Sequence, residues 1–432
     1  MRVRPVTALL LLITLLTAAC NAAPKRSLPE PTPAPTEEIV IKLHREPDSP
    51  LEPMLDVLVA GFTQQHPQYK VERVSIPGND AELYRAMDEG KIDLLPVDSW
   101  DDRLTRYTFE LDTYMLKSGV KRESFGPGFE GHRVDGRTRY LPFALIPIGV
   151  MANADLLKQA GVGLPKGAWT WDEFRALASR LTWGEGEARV WGLADLPTEE
   201  VVRIWLEGQA DRPAWQATDQ ELKSALQFFG AMVHLDKSVQ PPTVRPWEMN
   251  VSNPPVEFAP YLEGRIAMSL GVYLDGFYDT LDLPFETEWA LMPAHGGRRP
   301  ASLGHIRALA ISSGSKHPDA AWEFVRYASG PDGAKLLASK GVLPMHLSEE
   351  IKAAWFSRSP APPAFTESFF TTDWFFLREE EWQSGDGVAD FFLLWDLNRM
   401  SNRVLAQGMD ATVAIEQFRA DAARSAERAR PR

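Results

Sequence analysis

The stretch Tyr140–Leu181 reads YLPFALIPIGVMANADLLKQAGVGLPKGAWTWDEFRALASRL, and this stretch decides the fold. Its first part, Tyr140–Met151, is almost wholly apolar and contains Pro142 and Pro147. A run this apolar fits a strand that is buried on both faces, as in a parallel sheet. The two prolines argue against a helix, and they predict a bend at the point where the strand leaves one sheet.

The second part of this stretch predicts two helices separated by a turn. Asn153 is a favourable N-cap and Gly161 a favourable stop for the first helix. After Pro165, a second helix is expected to open at Thr170, with Glu173 in the capping-box position three residues later. A buried strand, a helix, a Pro/Gly turn and a capped helix together predict a segment that crosses from one lobe to another.

The chain before this stretch alternates between predicted strands and predicted helices. Apolar runs predict strands at Ile39–Leu43, Tyr69–Ile76 and Asp93–Val97. Helical spacing is found at Met54–Phe62 and Ala81–Asp88. The βαβαβ order implies a parallel sheet wound by helices, so an α/β fold is expected. The globular part of ~400 residues is long enough for two or three domain units, each with its own core.

Residues 1–20 are predicted to be an export signal. Two arginines precede the short apolar run Ala8–Leu16, and small residues then lead to Cys20. The run is too short to span a bilayer. The sequence LTAAC resembles a bacterial lipobox, which implies diacylation of Cys20 and a lipid anchor in the membrane. Ordinary secretion stays open as an alternative, because Thr17 stands where a lipobox usually has leucine.

The composition of the chain indicates which segment is unfolded, which cross-links can form and which partners are unfavourable. Residues 21–38 are mainly Pro, Thr, Ala and Glu, so they predict a disordered linker rather than a folded segment. Cys20 is the only cysteine, which excludes an intramolecular disulfide. The formal net charge of −13 argues against nucleic-acid binding.

The sequence carries little that indicates catalysis. It contains no phosphate loop ending in GK[ST], no HExxH and no GxSxG. The eight histidines are scattered without metal-ligand spacing, so we expect no metal site and no cofactor. Acidic runs such as Asp101–Asp102 and Glu379–Glu381 are interpreted as solvated charge. Glycosidase chemistry needs two carboxyl groups roughly 5–10 Å apart across a cleft, and adjacency in sequence says nothing about that.

Several landmarks in a fixed order resemble the extracellular solute-binding proteins of sugar ABC importers, of which the maltodextrin-binding proteins are the best known branch. They include LPF at Leu141–Phe143, NADLL at Asn153–Leu157, WDEF at Trp171–Phe174 and SKHPDAAWEF at Ser315–Phe324. The resemblance implies two Rossmann-like lobes joined by crossing strands, the type II periplasmic-binding-protein fold, with the ligand in the cleft. We expect the N-lobe to comprise 39–145 plus 294–328 and the C-lobe 146–293 plus 329–432.

The same resemblance implies a function. A lipid-anchored monomer on the outer face of the cytoplasmic membrane would capture a carbohydrate, an oligosaccharide above all, by hinge closure and deliver it to an ABC permease. A sensory lipoprotein coupled to a membrane kinase and a secreted glycoside-active enzyme are the alternatives. A third alternative is a protein that has lost its ligand. Ala152 stands where the family commonly has a tyrosine, and Ile146 stands where the maltodextrin branch has a glutamate.

Candidate ligand-binding residues are selected by their position at strand ends. Sugars stack their apolar C–H faces on aromatic rings and bond their hydroxyls to polar side chains, and the chain has fourteen tryptophans. In open α/β sheets the ligand lies beyond the carboxyl ends of the strands. That rule selects residues after the first and third strands. Tyr273 takes the family's aromatic cleft position. The predicted ligand-binding residues are Glu46, Asp98, Trp100, Tyr273, Asp275 and His305.

Overall fold

The computed structural model describes residues 38–47, 49, 51–97, 102–125, 136–194, 198–210, 214–241, 263–273, 283–296, 301–302, 304–359, 375–376 and 387–428. The predicted signal, the lipidation site Cys20 and most of the linker lie outside these residues, as do the predicted ligand-binding residues Asp98, Trp100 and Asp275.

Strands and helices alternate along the described chain. The strands are β1 (Ile39–His44), β2 (Tyr69–Val74), β3 (Leu94–Val97), β4 (Tyr140–Asn153), β5 (Met268–Tyr273), β6 (Thr287–Ala290), β7 (Ala301–Ser302), β8 (Gly304–Ile311), β9 (Leu343–Pro344) and β10 (Phe375–Phe376). The helices are α1 (Glu52–Gln65), α2 (Asp80–Asp88), α3 (Asp112–Ser118), α4 (Ala154–Ala160), α5 (Trp171–Arg180), α6 (Thr198–Ala210), α7 (Asp219–Gly230), α8 (Pro318–Ala328), α9 (Pro331–Ala338), α10 (Glu349–Phe356), α11 (Gly387–Leu405) and α12 (Ala411–Arg428).

The helix termini follow the local sequence signals. The Asn153 side chain caps α4, accepting from the backbone N–H of Asp155 at 2.9 Å, and Gly161 ends that helix with a φ of 64°. Thr170 and Glu173 form both halves of a capping box at α5. The predicted caps are therefore confirmed, because each depends on residues within a few positions of one another.

The main sheet has the strand order β2-β1-β3-β8-β4-β5, with β6 and β9 also paired to β4. Strand β1 is parallel to both β2 and β3, as the βαβαβ pattern predicts. Strand β8 runs antiparallel between β3 and β4. Strands β7 and β10 form a separate parallel pair. The mixed α/β fold is thus built on a parallel half that is extended by antiparallel strands.

Strand β4 belongs to two parts of the sheet. Its residues Tyr140–Pro147 pair with β8. From Ile148 onward it pairs with β5, and from Val150 onward also with β6. The change of partner falls directly after Pro147, where the sequence predicts that the strand leaves one sheet. The missing N–H of proline explains why the ladder to β8 ends there.

Two hydrophobic clusters lie mainly on opposite sides of this change of partner, although the first also contains Met151 and Trp289, which lie beyond it. The first cluster includes Ile41, Phe62, Ile146 and Phe324. The second cluster includes Ile148, Val150, Phe174, Phe229, Leu397 and Phe418. Strand β4 therefore contributes to both clusters. Each cluster fills its own core, as expected for two lobes that share a connecting strand.

The region after α8 packs differently from the expected lobe boundaries. We expected residues 329–432 in the C-lobe, but Leu337 of α9, Leu343 of β9 and Trp355 of α10 are buried in the first cluster. Strand β9 also pairs with β4 at Ala144 and Leu145, which precede the change of partner. We therefore propose that the N-lobe continues through α10, and that the C-lobe resumes with α11 and α12.

Candidate solute-binding site

Several strands of the first half of the sheet meet at one edge, called here the crossing edge: the region around His44, Val97, Pro147 and Gly304. Strands β1 and β3 are parallel, so their carboxyl ends face the same way. Strand β8 is antiparallel to β3 and begins at this edge. The register of β4 and β8 places Pro147 opposite Gly304. The edge is therefore also the place where β4 changes partner.

The register brings the second part of the sheet back to the same place. Strand β5 runs antiparallel to β4 and ends with Tyr273 opposite Ile148. On β8, His305 lies opposite Ile146. The backbones of these two predicted residues thus stand beside β4 on either side of Pro147. Carboxyl ends of strands in open α/β sheets are where ligands bind, which makes the crossing edge the candidate site.

Glu46 is the predicted residue whose side-chain environment is described, and it lies two residues beyond β1. Its Oε1 is 3.8 Å from Nε2 of His44, and the His44 ring is 4 % exposed. The His44 ring lowers the pKa of the Glu46 carboxyl, against its partial burial, which raises it. The carboxyl is therefore ionised at neutral pH at the edge of the candidate site. Contact of Glu46, Asp98, Trp100, Tyr273, Asp275 or His305 with a solute stays a prediction.

A buried carboxylate holds the loop between β1 and α1. Glu52, at the first position of α1, is 7 % exposed. Its Oε1 accepts from the backbone N–H of Glu46 at 3.1 Å, and its Oε2 accepts from Arg73 at 2.7 Å. Arg45 approaches the same oxygen at 3.3 Å. Because Glu52 binds the Glu46 backbone, it positions that loop at the crossing edge. The sequence reasoning missed Glu52, although an acidic residue in the first helical turn after a strand is a recognisable signal.

A buried arginine lies on β8, two residues beyond His305. Arg307 is 7 % exposed and lies opposite Ala144 of β4. A guanidinium keeps its charge in any protein environment, so its burial in a central strand is costly unless polar groups compensate it. The sequence reasoning did not select Arg307. The signal was present as a single charged residue inside the otherwise apolar end of GHIRALAI.

The two departures from the family pattern have a structural explanation. Ile146 is 1 % exposed and packs in the first cluster. Ala152 is 0 % exposed, packs in the second cluster and has strand partners in both β5 and β6. Neither side chain faces an open site, and apolar residues suit both positions. Ile146 and Ala152 therefore give no support to the alternative in which the protein has lost its ligand.

No helix in the described ranges has both the length and the apolar character needed to cross a membrane. Within the same part of the chain, His, Cys, Asp and Glu side chains form no group of three or more arranged to hold a metal ion.

Comparison with solved structures identifies the class of fold. MalE, a sugar-binding protein from Xanthomonas citri, matches with a TM-score of 0.67 and 20% identity over 90% of this chain and 98% of that chain. An ABC substrate-binding protein from Listeria monocytogenes in complex with cycloalternan matches with a TM-score of 0.68 and 18% identity, over 90% of this chain and 98% of that chain. UgpB from Mycobacterium tuberculosis in complex with glycerophosphocholine matches with a TM-score of 0.66 and 15% identity, over 90% of this chain and 98% of that chain.

The predicted fold is therefore confirmed as the type II periplasmic-binding-protein fold, the class to which these ABC substrate-binding proteins belong. The model of the family described as bacterial extracellular solute-binding protein matches residues 48–335. The chain belongs to that family. A search of curated protein sequences gives no match.

Proposed function

We propose that this protein is a lipid-anchored extracellular solute-binding protein that captures a carbohydrate by hinge closure and delivers it to an ABC permease. Family membership supports solute binding outside the cytoplasm. The observation that carries the mechanism is strand β4, which pairs with β8 up to Pro147 and with β5 from Ile148. The candidate site lies at this change of partner.

This arrangement supports the proposed hinge closure. Most residues of each hydrophobic cluster lie on one side of the junction, with Met151 and Trp289 of the first cluster among the exceptions. A rotation at the junction therefore leaves most core contacts unchanged. A solute that contacts both sides of the crossing edge binds the closed arrangement more tightly than the open one. Binding therefore shifts the equilibrium towards closure. This mechanism requires no covalent step.

The choice of a carbohydrate rests on the chemistry of sugars and on the comparisons. MalE is a sugar-binding protein, and the Listeria monocytogenes protein was solved with cycloalternan bound. This chain carries fourteen tryptophans, whose rings are suited to stack on sugars. UgpB, with glycerophosphocholine, has the same fold. The fold alone therefore does not select the solute, and a phosphodiester ligand belongs in any test.

Thermal unfolding with a panel of solutes tests the proposal. The panel contains maltose, maltotriose, mannotriose, D-mannitol and glycerophosphocholine. A solute at roughly 100 times its Kd should stabilise the protein by about 2.7 kcal/mol. We expect at least one sugar to raise Tm and to be recovered intact by chromatography. Hydrolysed sugar would support the glycoside-active alternative. A rise with glycerophosphocholine alone, or with none of the panel, would contradict carbohydrate binding.

The lipid anchor is tested at Cys20 in the full-length chain. Cells that express the protein and are fed an alkyne analogue of palmitate should label wild-type protein and leave Cys20→Ser unlabelled. The reason is that a serine hydroxyl does not replace the thiolate as the acylated nucleophile. Wild-type protein should sediment with membranes, and the variant should be found in the soluble fraction. Equal labelling of both proteins would show that the fatty acid is attached elsewhere.

Delivery to a permease is tested in cells. A strain that lacks this protein should lose uptake of the sugar identified by the panel, and the wild-type gene should restore it. Normal uptake combined with a lost transcriptional response to the sugar would favour the sensory alternative.

A further inference from the structure

Helix α6 carries three buried side-chain polar atoms that have no hydrogen-bond partner among the described residues. One is Nη2 of Arg203; the other two are Nε1 of Trp205 and Oε1 of Gln209. Trp205 is only 6 % exposed. Trp205 and Gln209 are four positions apart, so their side chains lie on the same face of the helix. The Trp205 atom is a hydrogen-bond donor and the Gln209 atom an acceptor.

Contacts around Trp205 hold its indole in one orientation. The ring of His295 meets it edge-on, with centroids 4.4 Å apart and planes at 85°. Nε2 of His295 is 2.9 Å from the backbone oxygen of Trp205. The Phe228 ring packs at 6.4 Å. The indole N–H is therefore positioned, although nothing in the described chain accepts its hydrogen. Buried polar groups of this kind are rare, and an absent ligand or ordered water commonly accounts for them.

Helix α6 lies beside the candidate site. It packs against β5 and β7. Strand β5 ends at Tyr273, opposite Ile148, and β7 ends two residues before β8 begins. The helix therefore borders the crossing edge on the side of the second cluster.

We propose that Trp205 and Gln209 form a hydroxyl-binding subsite of the solute site. A hydroxyl both accepts and donates hydrogen bonds, so one hydroxyl can accept from Trp205 Nε1 and donate to Gln209 Oε1. An ionised carboxylate or phosphate has no hydrogen to give to the Gln209 oxygen. The subsite thus favours a solute that presents a hydroxyl at this position, as sugars and sugar alcohols do. This inference rests on the proposed function and names the chemistry of its solute more closely.

Three variants test the subsite, beginning with the ligand-free protein. Trp205→Phe and Gln209→Leu each remove one of the two polar atoms. Trp169→Phe is the matched control: Trp169 is 3 % exposed, and its Nε1 donates to the Leu291 carbonyl oxygen at 2.6 Å. Both tryptophan variants lose the same ring volume, but only Trp169→Phe breaks an existing hydrogen bond. We expect Trp169→Phe to lower Tm more than Trp205→Phe does.

Binding is then measured by calorimetry with the panel sugar that gives the largest Tm shift. Trp205→Phe and Gln209→Leu should each raise Kd by about tenfold, the effect of losing one hydrogen bond to a neutral group. Trp169→Phe should keep Kd within about twofold of wild type, since its N–H is already bonded inside the protein. In ¹⁵N-indole NMR spectra, the Trp205 resonance should move on addition of this sugar.

The outcomes separate the subsite from the proposed function. If wild type binds the sugar and both subsite variants bind it equally well, the subsite is wrong and the proposed function stands. If wild type binds no sugar or sugar alcohol of the panel, both are contradicted.

Discussion

Asp112 shows how a single carboxylate ties the N-lobe together. Its Oδ1 accepts from Arg122 at 2.6 Å, and its Oδ2 accepts from the backbone N–H of Thr138 at 2.9 Å. Thr138 lies two residues before β4, so the carboxylate connects α3 to the segment that leads into the strand that both clusters share. Burial alone would raise the pKa of Asp112, but the hydrogen bonds from Thr138 and Arg122 outweigh it and lower the pKa below its ordinary value of 3.8.

This pKa shift predicts a pH-dependent contribution to stability. A carboxyl whose pKa is lowered by folding stabilises the protein above its unfolded pKa, and the contribution is lost as pH falls through the folded pKa. The Asp112 side chain is 35 % exposed, so water screens its interactions. Asp112→Asn should therefore reduce the free energy of unfolding by only about 0.5–1 kcal/mol at pH 7. The gap between wild type and variant should close as the pH falls below 3.8.

Urea unfolding from pH 7 to pH 3 measures this difference. Asp88→Asn is the control, because Asp88 is exposed and its carboxylate has no hydrogen bond to another described side chain. That variant should follow wild type at every pH. A constant gap between Asp112→Asn and wild type across the range would show that the charge of Asp112 is not what stabilises the fold.

Helix α9 shows an element whose packing overrides helix propensity. A Cβ built on Gly333 lies 2.5 Å from the backbone oxygens of both Tyr327 and Ala328, at the end of α8. Such a contact is too short for real atoms, and backbone oxygens cannot rotate away as a side chain would. The glycine therefore lets α9 approach the end of α8, and this approach brings Leu337 into the first cluster.

Gly333→Ala should consequently destabilise the protein by about 1–3 kcal/mol, although alanine favours helices. Gly230→Ala is the matched variant at the end of α7, where the nearest atoms to a built Cβ are 4.0 Å away. There, alanine should be neutral or stabilising by about 0.5–1 kcal/mol. Denaturant unfolding of both variants gives the comparison. If Gly333→Ala instead leaves the stability unchanged or raises it, as expected for Gly230→Ala, then α8 and α9 are further apart than described.

At the scale of the whole molecule, the proposed hinge predicts a change in dimensions. If a sugar joins the two sides of the crossing edge, the closed arrangement is more compact than the open one. Small-angle X-ray scattering should show a lower radius of gyration with the panel sugar at saturation than without it. The control is the protein mixed with a panel sugar that does not change Tm and therefore does not bind. A sugar that raises Tm without changing the radius of gyration would argue for binding without hinge closure.

The candidate site was only partly accessible from sequence. The strand-end rule selected Glu46, which borders the crossing edge, as do the backbones of two other predicted residues, Tyr273 and His305. It did not select Glu52 or Arg307, whose importance depends on their burial. Burial is decided by what packs over a residue from elsewhere in the chain. The sequence around each of them contained only an ordinary charged side chain.

The amino-acid sequence by itself determined the local features of this protein: the capped helices α4 and α5, the parallel strands β1 to β3, and the proline that ends the pairing of β4 with β8. Each of these depends on residues that are neighbours in the chain. Tertiary structure alone decided that α9 and α10 join the first cluster and that Ile146 and Ala152 are buried. It also decided that the Trp205 N–H is buried with no acceptor among the described residues. These depend on contacts between residues that are far apart in sequence, and local propensity carries no information about them.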